Sequence, residues 1–332
     1  VTFDRDRHVD FLLMMYQLLP SDYQDQEINR LTMAYFVVSG LDILQALDRI
    51  GRDEAISWVL SLQFKPKDAG ASLEDGQFYG FGGSRSLQSW PYDTDKVIYN
   101  GSHLASTYCA LAILKILGYD MSLIDSESLI KSMKNLQQPG GCFASINAGG
   151  EEDLRFLFCA AAICSVLNNW GGMDCQKSKE YIMKCQSYDG GFGLTPCSES
   201  HGGATYCAVA SLKLMGLFDE ALGGSSSATL LLDWCLQKQC EGGGFQGRSN
   251  KPADTCYAFW IGSVVRMIVG GGDELIDAEA LKGFLSSCET KCGGFSKFPE
   301  VWPDLYHSYY GICSLSLMNE TGLKPLCFEL GI

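Results

Sequence analysis

Asp254, Cys256 and His307 offer an oxygen, a sulfur and a nitrogen ligand from the openings of two successive apolar segments. Three protein ligands with a fourth position open is the pattern of a catalytic zinc, whereas a structural zinc is closed by four. A thiol brought to such a metal ionises, because the metal stabilises thiolate. The plainer alternative is a buried cysteine beside an aspartate that caps a helix. Cations stand nearby in the sequence: Arg248 and Lys251 precede Asp254, Lys297 follows "GGFS", and His201 heads the preceding apolar segment. In a chain of net charge −14 this grouping points to a bound anion, and helix N-termini would add their own positive ends. A diphosphate with an apolar tail fits, although each cation taken singly reads equally well as a solvated surface residue.

The elements that must position these groups repeat. "LQQPGGCF", "CQSYDGGF", "QKQCEGGGF" and "CETKCGGF" recur, with a degenerate copy in "LQFKPKDAGASLEDGQF", and Phe143, Phe192, Phe245 and Phe295 fall 49, 53 and 50 residues apart. Glycines at these points supply left-handed helix ends. Each loop leads into a helix that is apolar all round, such as "RFLFCAAAICSVL" or "ATYCAVASLKLMG", and follows an amphipathic one such as "LKGFLSSCE". Helices apolar all round belong inside and one-striped helices outside. The expected fold is therefore all-α: a six-fold α/α toroid (α-α barrel) of helix pairs joined by Gly-rich loops. Residues 1–332 form a single domain in this reading, with internal repeats of about 50 residues. An open solenoid would want polar capping repeats, which the sequence lacks.

Aligning the apolar helices on Cys109, Cys159, Cys207, Trp260 and Cys313 puts His103, Asp153, His201, Asp254 and His307 six positions earlier, with Arg30 equivalent before Phe36. Three of the four histidines fall in this set. They read either as helix caps or as a polar collar above an aromatic funnel; aspartate suits a cap, and repeated histidine favours the collar.

Composition limits the function classes. At 46% hydrophobic and 19% charged the chain is globular, and its acidity argues against nucleic acid as a partner. Arg or Gly interrupts the longest apolar runs before they could cross a bilayer, so no integral membrane protein is expected. Fifteen cysteines, mostly inside apolar runs and without a CxxC pair, fit a reducing cytoplasmic setting. A terpene cyclase would share the architecture but needs an Asp-rich acid motif, to which "YDTDK" at 92–96 is the nearest approach. A non-catalytic binding toroid with a merely polar rim is the remaining rival.

The repeats, with "SESHGGATYC", "GRSNKPADTCYAFW" and "WPDLYHSYYGICSLSLM", resemble the β subunits of protein prenyltransferases over nearly the whole chain. The resemblance implies an α/α barrel that pairs with a helical-repeat α subunit and transfers an isoprenoid from its diphosphate to a C-terminal cysteine of a protein. It makes Asp254, Cys256 and His307 ligands of one Zn2+, and gives His201, Arg248, Lys251 and Tyr257 to the diphosphate. Arg155, Phe158, Gly203, Cys207 and Trp260 match isoprenoid contacts. Phe36, His103, Ala105, Glu151, Arg155, Phe156 and Tyr306 match peptide-pocket positions.

Within that family the resemblance leans to the type I geranylgeranyl branch. Lys297 stands where farnesyl enzymes have an Asp that uses magnesium; an ammonium can take the cation's place, so Mg2+ is not expected to be required. Thr32 and Ala204 are small where farnesyl enzymes carry Trp and Tyr, which lengthens the funnel for a 20-carbon tail. Geranylgeranyl diphosphate and CaaX-box proteins such as small GTPases, mainly with X = Leu, are the implied substrates. Tyr306 departs from the Leu of animal type I enzymes and resembles the farnesyl enzymes, which puts a strict Leu preference in doubt. The farnesyl and Rab geranylgeranyl β subunits are the alternatives inside the family.

Overall fold

The apolar segments fold as helices buried almost all round, and the amphipathic ones as helices buried along one stripe. The structure is a computed structural model; it describes residues 3–66, 76–89, 101–224, 226–270 and 275–332. The buried helices are α2 (Arg30–Ile43), α4 (Leu104–Ile116), α6 (Leu154–Val166), α8 (Gly202–Leu214), α11 (Thr255–Val269) and α13 (Leu305–Leu317). Between them run α1 (Arg5–Gln17), α3 (Arg52–Leu60), α5 (Ser126–Met133), α7 (Cys175–Lys184), the short α9 (Phe218–Leu222), α10 (Ser226–Leu236) and α12 (Ala278–Cys288). The contrast follows from composition: α6 buries eleven of its side chains, whereas α12 buries only Leu281, Leu285 and Cys288, one stripe at helical spacing. Among the described residues the one sheet is a two-residue antiparallel ribbon, β1 (Phe295–Ser296) with β2 (Pro303–Asp304).

The chain divides into two compact units. One comprises residues 1–19, 36–49 and 183–332; the other comprises 20–35 and 50–182. In the first, α8 packs on α11 and α11 on α13; in the second, α4 packs on α6.

Within each unit, neighbouring repeats are tied by the same small set of bonds. The phenylalanine of the Gly-rich loop bridges a residue six positions earlier, as in Gln137 with Phe143 and Gln239 with Phe245. The loop then receives a backbone N–H from the first turn of the buried helix one repeat back: Leu104 to Ser145 O, Gly202 to Gly247 O, and Thr255 to Lys297 O. Those N–H groups would otherwise be orphans of the helix end. Gly243 shows why the loops need glycine. Its φ is +86°, and a Cβ there would lie 2.1 Å from the Ala280 carbonyl oxygen in α12. Gly293 makes the equivalent contact on Arg7 O of α1, at 2.2 Å for an added Cβ, so the last loop seats on the chain's first helix as earlier loops seat on later ones.

Candidate metal and anion site

Four of the six polar residues aligned at the openings of the buried helices are caps; Arg30 is instead the first residue of α2 and pairs with Glu27. His103, Asp153, His201 and Asp254 each accept a backbone N–H two residues ahead, from Ala105, Arg155, Gly203 and Cys256 at 2.9–3.2 Å. Both histidines do this through Nδ1, so the cap reading holds even for the residue type that argued against it. In α13 the cap is Asp304, which accepts from His307 N–H at 2.8 Å. The sequence alignment on Cys313 therefore misplaced His307 by three residues. The residue six beyond the cap is Tyr310, whose ring packs at a tilt on Trp260, six beyond Asp254, at 4.4 Å between ring centroids.

With the register corrected, one rule builds the site: the residue three beyond a cap reaches back to the cap of the preceding buried helix. Phe156 meets the His103 ring edge-on, at 5.8 Å between centroids. Tyr257 hydrogen-bonds His201 Nε2 at 2.8 Å. His307 brings Nε2 to 3.2 Å from Asp254 Oδ1. Cys256, two beyond its own cap, completes the last of these, and the ligand atoms of Asp254, Cys256 and His307 lie within 4.8 Å of one another. Tetrahedral zinc, with bonds of about 2.0–2.3 Å, needs ligand atoms roughly 3.3–3.8 Å apart, so the trio fits a small shift around a metal. Asp304 Oδ2 lies 2.6 Å from His307 Nδ1, on the side of the ring away from Asp254. This carboxylate fixes the ring and its tautomer, the usual outer partner of a metal-binding histidine. Nothing in the residue-type argument singled out Asp304, although an Asp three before the His in "PDLYH" was its signal.

The trio's protonation is set by burial and by each other. Burial alone would lower His307, but its hydrogen bonds to Asp254 and Asp304 outweigh it and raise the pKa to about 9. Burial opposes the Asp254 charge, and hydrogen bonds from His307 and the Cys256 N–H outweigh that and lower it. Burial, reinforced by the Asp254 charge, holds the Cys256 thiol well above its ordinary value; the Tyr306 hydroxyl and Lys297 act against this. A metal bound there would have to displace these protons.

A cavity of about 290 Å³ adjoins the trio, lined by His201, Gly247, Arg248, Lys251, Pro252, Asp254, Tyr257, Lys297 and Phe298. All four of the sequence-selected cationic or hydrogen-bonding residues thus face one space. Lys297 Nζ lies 3.7 Å from Asp254 Oδ2, so this ammonium lines the cavity beside the metal trio. Arg248 is held by Glu199 at 2.8 Å, a partner the sequence reading did not select. Burial and then the Arg248 charge lower the His201 pKa, which favours the neutral ring. Because Nδ1 accepts from Gly203, the ring proton sits on Nε2 and is donated to the Tyr257 oxygen. The Tyr257 proton is then free to point elsewhere.

The apolar and peptide-pocket residues are divided between the two units. In the unit that holds the trio, Phe36 packs against Tyr306, Tyr309 and Tyr310, and Trp260 donates its Nε1–H to the Tyr306 hydroxyl at 3.2 Å. Gly203 supplies the His201 cap bond, and Cys207 is buried one turn farther along α8. In the other unit, Arg155 is paired with Asp153 at 2.6 Å and Glu151 at 3.2 Å, and its guanidinium covers the Phe156 ring. Thr32 Oγ1 accepts from the Cys109 thiol, Phe158 packs on Tyr108, and Ala105 donates to His103. "YDTDK" lies outside the described residues, as does part of the degenerate repeat that begins at Leu62.

Residues 3–332 match the model of the prenyltransferase alpha-alpha toroid domain. The chain belongs to this family. It is 60% identical over 337 residues to the geranylgeranyl transferase type-1 subunit beta of Arabidopsis thaliana, covering 99% of this chain and 89% of that protein. Against the subunit of the same name from Dictyostelium discoideum it is 35% identical over 344 residues, covering 98% and 95%. It is 31% identical over 333 residues to the farnesyltransferase subunit beta of Schizosaccharomyces pombe, covering 95% and 78%. Among solved structures it resembles Candida albicans protein geranylgeranyltransferase-I complexed with GGPP, at TM-score 0.85 and 25% identity, over 99% of this chain and 96% of that one. These likenesses bear out the α/α toroid and the prenyltransferase class, and the likeness at 60% identity is to a type-1 geranylgeranyl subunit beta. Among the described residues no helix is long and apolar enough to cross a membrane.

Proposed function

We propose that the chain is the catalytic β subunit of a zinc-dependent protein geranylgeranyltransferase type I. It works in the cytoplasm as a heterodimer with a prenyltransferase α subunit, and residues 1–332 act as one catalytic domain, a reading supported by the unbroken family match. The substrates are geranylgeranyl diphosphate and proteins ending in CaaX. The observation that carries the proposal is the adjacency of two sites: Asp254 belongs both to the O,S,N trio and to the lining of the cationic cavity.

Asp254, Cys256 and His307 would hold the zinc, with Asp304 orienting His307. Bound there, the metal would keep the substrate cysteine as thiolate. The sulfur attacks C1 of the isoprenoid, the C1–oxygen bond breaks, and diphosphate leaves. Arg248, Lys251 and Lys297 carry positive charge toward that leaving group, and Tyr257, backed by His201, adds a hydroxyl donor; these interactions strengthen as charge develops. Lys297 supplies the charge that a magnesium ion would otherwise supply. By the family resemblance, Trp260, Gly203 and Cys207 in one unit, and Thr32, Arg155 and Phe158 in the other, are the residues matched to isoprenoid contacts, which would position C1. By the same resemblance, Phe36 and Tyr306 in one unit, and His103, Ala105, Glu151 and Phe156 in the other, are matched to peptide contacts.

The test is Cys256→Ala in the reconstituted heterodimer. Zinc content and turnover should both fall; survival of both would refute the metal assignment. Turnover with 15- and 20-carbon diphosphates, on peptides ending in Leu, Met or Ser, separates the type I reading from a farnesyl one. Small Thr32 favours the longer tail, and Tyr306 predicts an incomplete preference for Leu.

A further inference from the structure

Lys238 is a lysine where burial should not tolerate one. It follows the C-terminus of α10, is 4% exposed, and among the described residues has no carboxylate within ion-pair distance. Its ammonium donates to Ser249 Oγ at 3.0 Å and lies 4.8 Å from the centroid of the Trp234 ring. An ammonium removed from water without a counter-ion is costly; the π face, the Ser249 oxygen and the negative end of α10 offset part of that cost.

The loop that Lys238 reaches is the one that carries the anion-facing cations. Residues 247–251 run without regular secondary structure, turn through Asn250 at φ +62°, and present Arg248 and Lys251 to the cavity. The base of the loop is closed by the Gln246–Ala253 bridge and by the Gln246 N–H, which donates to Lys238 O at 2.9 Å. Within the loop the Gly202 N–H donates to Gly247 O at 2.8 Å, Glu199 pairs with Arg248, and the Lys238 ammonium grips Ser249 between the two cations. The Gly202 and Glu199 contacts come from residues close to His201 in sequence, whereas the Lys238 contact comes from the end of α10. Trp234 fixes Lys238 in turn, since the Trp234 Nε1–H donates to Asp189 at 3.1 Å. Asp189 also accepts from Ser200, the residue before His201.

We infer that Lys238 is a positioning residue for the anion pocket: through Ser249 it sets the loop that aims Arg248 and Lys251 at a diphosphate. This rests on the proposed diphosphate site. Lys238 touches no reacting atom, so its loss should weaken anion binding and leave the metal and peptide alone.

The experiment uses the reconstituted heterodimer and inorganic pyrophosphate as the probe, measured by calorimetry and as a competitor of geranylgeranyl diphosphate. Lys238→Met should weaken pyrophosphate binding about tenfold, as expected for one lost charge-assisted hydrogen bond, and raise KM for the isoprenoid diphosphate by a similar factor. Zinc content and KM for the peptide should not change. Lys238→Arg, which keeps a cation and a donor, should restore binding. Ser249→Ala removes the acceptor without touching the lysine and should reproduce the loss; it decides the matter if Lys238→Met does not fold. Wild-type pyrophosphate affinity in Ser249→Ala, or failure of Lys238→Arg to restore it, overturns the inference. Arg248→Ala combined with Lys251→Ala is the control for the underlying reading. If that variant also binds pyrophosphate like the wild type, the diphosphate site itself is wrong; if it alone is impaired, only the role of Lys238 is.

Discussion

Replacing Tyr257 by Phe tests the direction of a single hydrogen bond. Tyr257 Oη and His201 Nε2 are 2.8 Å apart, and either could donate. The cap decides: His201 Nδ1 accepts from the Gly203 N–H at 3.1 Å, so a neutral ring carries its proton on Nε2 and donates to the tyrosine oxygen. Burial and then the Arg248 charge lower the His201 pKa, which favours the neutral ring over the doubly protonated form. The Tyr257 proton is then available to the cavity that the residue lines. A hydrogen bond to a charged group contributes about 1.5–3 kcal/mol, equivalent to about 10- to 150-fold in a rate or equilibrium constant. Tyr257→Phe should therefore lower kcat/KM for geranylgeranyl diphosphate by about one to two orders of magnitude. Most of the loss should fall on kcat if the donor meets charge that develops on the leaving group. Zinc content and peptide KM should hold, because Phe keeps the ring and its edge contact with His201. Steady-state kinetics on the heterodimer, with metal analysis of the same sample, measures this. If the tyrosine instead donated to His201, its proton would be used internally, and Phe would leave kcat and diphosphate binding near wild type. That result would refute the tautomer argument.

The remaining predictions concern the metal, the loop glycines and the cation beside the metal trio. Asp304→Asn should weaken zinc about 10- to 100-fold in a chelator competition, with little change in melting temperature, since Asn is as good a cap as Asp. Wild-type zinc affinity would remove Asp304 from the site. Gly243→Ala should destabilise the chain by at least about 2 kcal/mol, because it combines left-handed backbone with a Cβ 2.1 Å from the Ala280 oxygen. Gly242→Ala, where an added Cβ meets nothing within 4 Å, should be near neutral, and thermal melts of the pair compare them. Lys297→Asp should make turnover depend on magnesium; metal dependence like that of the wild type would end its role as a built-in cation.

What could be read from the sequence was whatever many residues specify together. Six helices apolar all round and a loop repeated with its Phe were legible because each rests on burial at a dozen positions, and one substitution does not obscure the pattern. The trio was legible for a different reason: O, S and N donors opening two successive buried helices are adjacent under any register that stacks those helices. The register itself was not legible. Cysteine marks the position six beyond the cap in α4, α6 and α8 only because a small apolar side chain suits that buried spot. Trp260 and Tyr310 fill the same position by packing against each other, so Cys313 misled where Tyr310 would have pointed to Asp304. The corrected register also changes what the histidines mean. In His201 the cap and the function do not compete: accepting the Gly203 N–H at Nδ1 forces the proton to Nε2, and that is what frees the Tyr257 hydroxyl. Lys238 lay beyond any such reading. In sequence a lysine just after a helix is an ordinary solvated residue, and only the 4% exposure and the single oxygen partner show that the fold has taken it in. Such a residue is informative because burial penalises it, so whatever keeps it there must be found among the few groups it touches.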